Sequence, residues 1–302
     1  MITDVPGVKV GHWTSQEALT GCTVILPPDG TVGSVDLRGG APGTREYAAL
    51  LPEQRVNRVH GLVLSGGSAF GLATADGVMG WLEERGIGWE VGDLFRVPIV
   101  PAAILLDLGM VDSVRPGAAE GRMACDNATD GPFETGSVGA GAGCTCGKQL
   151  GLEWGMKSGL GTASVTDGDL IVSAIVAANP VGDILDEENQ LLAGSRAPEG
   201  TQRGRHPRPG ENTMIGAVVT NARLTKNTAM WMARGGQDGI AMVIRPPHTR
   251  YDGDVVFGLA TGALDADPDL VISLASIAMS NAVRQGARAA KGTTAFPGLA
   301  DD

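Results

Sequence analysis

Apolar and polar positions along the chain switch between a period near two and a period near 3.6, and the switches mark its elements. In "GLVLSGGSAFGLATADGVMGWLEERGI" (61–87) a short apolar run passes through glycines into a segment with Ala73, Val78, Trp81 and Leu82 near helical spacing. That pattern predicts a strand, a turn and a helix. Two β-rich runs in "GTASVTDGDLIVSAIVAAN" (161–179) flank Asp167-Gly168, a hairpin signal. Further strands are predicted over 214–222 ("MIGAVVTNA") and 254–262 ("DVVFGLATG"). Between them Ala229, Met232, Ala233, Gly236, Ile240 and Ile244 fall near i, i+3, i+4 spacing behind Thr225, a favourable N-cap. This predicts a helix, weakened at Gly235-Gly236. The segment 267–290 opens with Asp267 at the cap and Pro268 at the first helical position and closes with arginines, the asymmetry expected of a long helix. Strands and helices mix without strict βαβ alternation, which favours an α+β or layered sandwich over a doubly wound parallel sheet.

One stretch falls outside this pattern. "RAPEGTQRGRHPRPGEN" (196–212) holds four Arg, three Pro and three Gly and almost nothing apolar, so it is expected to be exposed and poorly ordered. Structureless loops of that length are functional or linkers. Composition alone leaves both readings open.

With 302 residues, 43% hydrophobic and 19% charged, the chain reads as a soluble globular protein with a sizeable core. Its 46 glycines, against a usual share of roughly 7%, predict many tight turns and close backbone approaches. A formal net charge of -11 leaves no broad basic face for phosphates, so nucleic acid is excluded as a partner. The N-terminal "MITDVPGVKVGHW" lacks a basic region followed by an apolar one, and no run of 18 apolar residues occurs, so a cytoplasmic protein without membrane contact is expected. Cys22, Cys125, Cys144 and Cys146 lack zinc-ligand spacing and are expected as buried free thiols. Gly66, Gly67 and Gly71 do not fit G-x-G-x-x-G, and "DGD" at 252–254 lacks the remaining oxygen ligands of a calcium loop. No cofactor or metal is called for.

The four histidines are scattered, and none stands in a Ser/His/Asp context. Thr213, at the junction of the irregular stretch and a strand, offers another chemistry. A threonine can act as nucleophile when its own α-amine serves as base, which requires the Asn212-Thr213 bond to be cut. An α-amine with a pKa of about 7.7 to 8.0 is partly unprotonated near neutrality and can take the hydroxyl proton.

Nearly the whole chain resembles one family, through "PGVKVGHWT", "GCTVILPPDG", "VDLRGGAPGTRE", "LSGGSAFGLATADGV", "VPIVPAAILLDL", "GKQLGLEWGMKSGLGTASV", "AANPVGDILD", "NTMIGAVVTNARLT" and "HTRYDGDVVFGLATG" in that order. The family is that of the self-cleaving N-terminal-nucleophile hydrolases that include the L-aminopeptidase/D-esterase enzymes, β-aminopeptidases and 6-aminohexanoate-oligomer endohydrolases. The resemblance implies a layered α/β/β/α sandwich and one catalytic domain, 1–302, self-cleaved between Asn212 and Thr213 into 1–212 and 213–302. It implies Thr213 as nucleophile, Lys148 beside it, Asn179 with its amide facing the scissile carbonyl, and the pair Asp252 and Asp254 orienting the new ammonium. It also implies a small amide or peptide substrate and a homo-oligomer, a tetramer of processed protomers. The aminopeptidase branch is similar to a Ser nucleophile preceded by Gly, with Ser and Glu at the later acidic site. Asn212-Thr213 with Asp252 and Asp254 is more similar to the nylon-oligomer hydrolases, which makes 6-aminohexanoate oligomers the first expected substrate and short peptides the alternative.

Overall fold

Strands covered on both faces read as unbroken apolar runs, and the long central strands of this chain do so for that reason. The computed structural model describes residues 1–201 and 212–301. The first half contributes β1 (Lys9–Ser15), β2 (Thr20–Leu26), β3 (Val32–Leu37), β4 (Thr44–Arg45), β5 (Leu62–Ser65), α1 (Thr74–Glu83), β6 (Trp89–Val91), β7 (Phe95–Val97), β8 (Ala102–Ile104) and α2 (Ala118–Asp126). The second contributes β9 (Thr145–Cys146), β10 (Met156–Lys157), β11 (Leu160–Asp167), β12 (Leu170–Asn179), β13 (Asp183–Leu185), β14 (Leu191–Ala193), β15 (Thr213–Ala222), α3 (Lys226–Val243), β16 (Ile244–Arg245), β17 (Val255–Leu264) and α4 (Pro268–Arg288). Two five-stranded sheets form, in the orders β1-β2-β5-β8-β4 and β11-β12-β15-β17-β3. Within them β5–β8 and β15–β17 are parallel and the other pairs antiparallel.

Side-chain alternation on β15 shows how the layers are built. Ile215, Ala217 and Val219 meet Val255, Phe257 and Leu259 of β17 and Ile25, Leu62 and Leu64 of the other sheet. Met214 and Val218 turn the opposite way, onto Ala229 and Met232 of α3 and Met279 of α4. A third apolar layer, with Cys22, Val24, Val63, Ala75, Val78 and Ala124, joins the first sheet to α1 and α2. The order is therefore α/β/β/α, as expected, and each fully buried Val, Leu, Ile or Phe side chain contributes about 1.5 to 3 kcal/mol.

The hairpin at Asp167-Gly168, the strand expected over 214–222, which begins one residue earlier at Thr213, and the capped helix from 268 are all present; the Asp267 carboxylate accepts from Asp269 N–H at 3.1 Å. Three local expectations change. Ala73 precedes α1 in a 3-10 turn and is exposed, so Ala75, Val78 and Leu82 form the buried face. Ile244 leaves the helical stripe as the extended C-cap of α3 and pairs with Ile184, while Pro246 keeps Arg245, the next residue, out of the helical region. Gly235 and Gly236 do not interrupt α3. A Cβ on Gly235 would lie 2.5 Å from the Ile272 carbonyl oxygen, and one on Gly239 2.3 Å from that of Ser276. These glycines let α3 and α4 approach, and the packing gained outweighs their low helix propensity. The described part of the irregular stretch, 196–201, forms no strand or helix, and the remainder of that expectation, 202–211, lies outside the described residues. Among the described residues no helix is long and apolar enough to cross a membrane. All four cysteines are buried and free, and burial pushes Cys125, Cys144 and Cys146 up to about 12.

Candidate active site

The sheet order brings three strand ends together. β12 runs antiparallel to β15, so its last residue, Asn179, lies opposite Thr213, the first residue of β15. β17 runs parallel to β15 with Val255 beside Ile215, so the residues just before both strands become neighbours, and Asn212 bridges Asp252. Backbone bonds from Gly147 N–H to Gly182 O (2.8 Å) and from Lys148 N–H to Val181 O (2.9 Å) bring in the segment after β9. Lys148, Asn179, Asn212, Thr213, Asp252 and Asp254 thus form one cluster, each 5% exposed or less.

At its centre the Thr213 hydroxyl donates to the carbonyl oxygen of Asn212, the acyl half of its own peptide bond. That carbonyl also accepts from Gly253 N–H at 3.1 Å. Gly253 tolerates no side chain, since a Cβ would lie 2.2 Å from the Ala41 carbonyl oxygen. Lys148 Nζ donates to Asn179 Oδ1 at 2.8 Å and to the Asn179 carbonyl at 3.3 Å. Thr145 N–H reaches the same Oδ1 at 3.0 Å, while Asn179 Nδ2 donates to the Leu106 carbonyl at 2.8 Å. Donors surround Oδ1, so the carboxamide turns its nitrogen toward Leu106. Among the described residues the N–H donor on the Asn212 carbonyl is that of Gly253, whereas the resemblance implied the Asn179 amide.

The two carboxylates act as ties between backbone segments. Asp252 accepts from Val181 N–H (3.3 Å), from Thr249 N–H (2.9 Å) and from the Thr249 hydroxyl. Asp254 accepts from Met214 N–H at 2.8 Å and contacts His248 Nδ1 at 2.6 Å. Burial raises the Asp254 carboxyl above its ordinary range, and the charge of Asp252 adds to this, while the His248 bond pulls it back. Asn212 is 1% exposed, and among the described residues neither atom of its side-chain amide has a hydrogen-bond partner.

Several contributors were not legible in the sequence. Lys157, fully buried, donates to the carbonyls of Ala142 (2.7 Å) and Cys144 (2.9 Å), bracing the segment that carries Thr145; burial lowers its ammonium to about 8. Asp107 accepts from Thr20 Oγ1 (2.6 Å) and Gly67 N–H (3.1 Å), and burial raises it to about 6. His248 sits six residues before Asp254, a spacing that was on view but carried no recognised pattern. Among the described residues no group of three or more His, Cys, Asp or Glu is arranged to hold a metal. A cavity of about 820 Å³ lined by Lys9, Arg58, Trp81, Trp89 and Arg96 contains none of the cluster residues.

A buried threonine poised on its own preceding carbonyl narrows the relatives to be sought, and comparison identifies them. Residues 1–295 match the profile of peptidase family S58. The chain belongs to peptidase family S58. It is 41% identical over 297 residues to an uncharacterized aminopeptidase of Mycobacterium leprae, covering 88% of this chain and 79% of that one. It is 33% identical over 280 residues to a 6-aminohexanoate-oligomer endohydrolase of Kocuria sp., covering 87% of this chain and 75% of that one. The fold matches a Burkholderia sp. β-aminopeptidase with a TM-score of 0.77 at 21% identity, over 99% of this chain and 90% of that one. It also matches the L-aminopeptidase D-Ala-esterase/amidase of Ochrobactrum anthropi, described as a variant of the Ntn hydrolase fold, with a TM-score of 0.75 at 22% identity over 98% and 88% of the two chains. This S58 peptidase has the Ntn-hydrolase fold and is a hydrolase of amide and peptide bonds.

Proposed function

We propose that the chain cuts itself between Asn212 and Thr213, giving fragments 1–212 and 213–302, and that Thr213 then hydrolyses amides through an acyl-enzyme. The observation that carries this is the Thr213 hydroxyl lying against the Asn212 carbonyl while Gly253 N–H donates to the same oxygen. In self-cleavage Oγ1 attacks the Asn212 carbonyl carbon, the C–Oγ1 bond forms, the C–N bond breaks, and the hydroxyl proton ends on the new amine. Water then hydrolyses the ester, leaving Asn212 as a carboxylate and restoring the hydroxyl. Gly253 N–H supplies a fixed donor where negative charge develops. Release of Asn212 also relieves a buried amide that has no partner among the described residues, a penalty of about 1 to 3 kcal/mol for each unsatisfied group.

In turnover the Thr213 α-amine is the base and the substrate carbonyl takes the position that Asn212 vacates. Lys148 supplies positive charge beside Asn179, and Asp252 and Asp254 hold the loop and the strand start that frame Thr213. Two substrate readings each have a supporting observation. The Asn212-Thr213 junction with Asp252 and Asp254, together with 33% identity to the Kocuria enzyme, favours 6-aminohexanoate oligomers. The 41% identity to the mycobacterial relative favours aminopeptidase action on short peptides and amides. We also infer a cytoplasmic homo-oligomer, a tetramer of processed protomers, from the resemblance; light scattering after size exclusion tests the assembly.

Intact mass of wild type beside Thr213→Ala is the deciding experiment. Wild type resolves into 1–212 and 213–302, the variant stays one chain, and only wild type cleaves amides. An active preparation consisting solely of uncut chain refutes the proposal. Parallel assays on amino-acyl anilides and 6-aminohexanoate oligomers then separate the two substrates.

A further inference from the structure

His248 follows β16 and holds a backbone φ of +48°, a region that a residue other than glycine seldom occupies. Its ring is engaged at both nitrogens. Nδ1 lies 2.6 Å from Asp254 Oδ2, and Nε2 lies 3.2 Å from the Gln237 carbonyl oxygen on α3. Asp254 as a carboxylate and the Gln237 carbonyl both accept, so a ring that hydrogen-bonds to both carries an N–H at each nitrogen, or one at Nε2 with the second proton on Asp254. Both assignments give the pair the same two protons and zero net charge.

We propose that His248 is a positioning residue of the amide-cleaving centre, sharing one proton with Asp254 so that the other Asp254 oxygen stays fixed on Met214 N–H and holds Thr213 in line. The proposal rests on the reading of Thr213 as nucleophile. Asp254 Oδ1 is 2.8 Å from Met214 N, the residue after Thr213, so any rotation of the carboxylate is felt one residue from the reacting hydroxyl. Asp252 in the same loop is the charge that acts on the pair; next to the Gln237 contact, Asp238 on α3 is paired with Arg38, and Asp36 on β3 with Arg38 and Arg234. The pair is almost wholly buried, its side chains 14% and 1% exposed, so solvent screens it weakly. Losing one proton leaves the ring a single N–H for two acceptors, so one of its two anchors is given up and its hold on Asp254, and through it on Met214 N–H, loosens.

The test compares wild type, His248→Ala, His248→Asn and Thr213→Ala by intact mass, by circular dichroism and by kcat and KM on L-alanyl-para-nitroanilide and 6-aminohexanoate oligomers, across about pH 6 to 10. His248→Ala should process and turn over more slowly, with kcat lowered by roughly one to two orders of magnitude and KM little changed. The asparagine amide can donate to Asp254 without titrating. His248→Asn should therefore recover most of the neutral-pH rate and lack the alkaline decline of wild type. Wild-type kcat and pH profile in His248→Ala, an alkaline limb retained in His248→Asn, or no such limb in wild type would overturn the proposal. Activity surviving in uncut Thr213→Ala would instead refute the nucleophile reading, and it is scored separately by mass.

Discussion

Lys157→Met isolates one electrostatic quantity that the fold creates. Burial brings the Lys157 ammonium from 10.5 down to about 8, with the nearby Cys144 and Asp107 only partly offsetting the lost hydration. At roughly 1.4 kcal/mol per pH unit, holding that charge inside the neutral-pH protein is worth about 3 kcal/mol of lost stability. Methionine removes this term but also leaves the carbonyls of Ala142 and Cys144 without their donor, at about 1 to 3 kcal/mol each, so the neutral-pH stability change is a poor readout. The pH dependence is a clean one. Between about 8 and 10.5 the unfolded chain keeps a proton that the native chain has released, so Lys157 makes native stability rise with pH. The buried thiols act oppositely above 9.0, their unfolded value, but both proteins share that contribution and it cancels in the difference. Relative to Lys157→Met, the lysine protein should gain roughly 1 kcal/mol from pH 8 to 9 and roughly 2 kcal/mol by pH 10. Urea unfolding in a Thr213→Ala background, followed by tryptophan fluorescence, compares single polypeptides. Parallel stability curves from pH 8 to 10 would refute the idea of a desolvated ammonium beneath the site.

The remaining predictions probe packing, capping and the acid side. Gly239→Ala drives a methyl to 2.3 Å from the Ser276 carbonyl, so α3 and α4 must separate; thermal melting should report a loss of about 1 to 3 kcal/mol. Asp267→Ala removes the α4 cap at Asp269 N–H and should cost about 1 kcal/mol in the same assay. His12, lowered by burial to about 4, loses stability as pH falls from 6.5, because the unfolded chain takes up the proton first. Asp107, raised by burial to about 6, has the opposite sign: its stabilisation is present at low pH and is lost as pH rises from 3.8 through 6. Asp107→Asn should therefore be more acid-sensitive than wild type, by roughly 2 kcal/mol between pH 6.5 and 4, and equal acid sensitivity would contradict the assignment.

Local pattern sufficed wherever a residue's role is settled by its near neighbours. The Asp267-Pro268 start of α4, the Thr225 cap of α3 and the Asp167-Gly168 hairpin depend on a few consecutive dihedrals, and all three are found as read. Lys148, Asn179, Asn212-Thr213 and Asp252/Asp254 were marked as site residues by the resemblance, since each short context taken alone also fits an ordinary turn, loop or strand start. Their meeting was legible only through resemblance, since the pairing of β12, β15 and β17 joins segments far apart in the chain. Tertiary structure alone decided the rest. It put the Gly253 N–H rather than the Asn179 amide on the Asn212 carbonyl, because the orientation of a carboxamide follows the donors packed around it. It made Gly235 a contact residue instead of a weak point in the helix, because the facing carbonyl, that of Ile272, belongs to another helix. And it set His248 against Asp254 and turned Lys157 and Asp107 into strongly perturbed groups, because burial, which no local pattern encodes, fixes both their hydration and their partners.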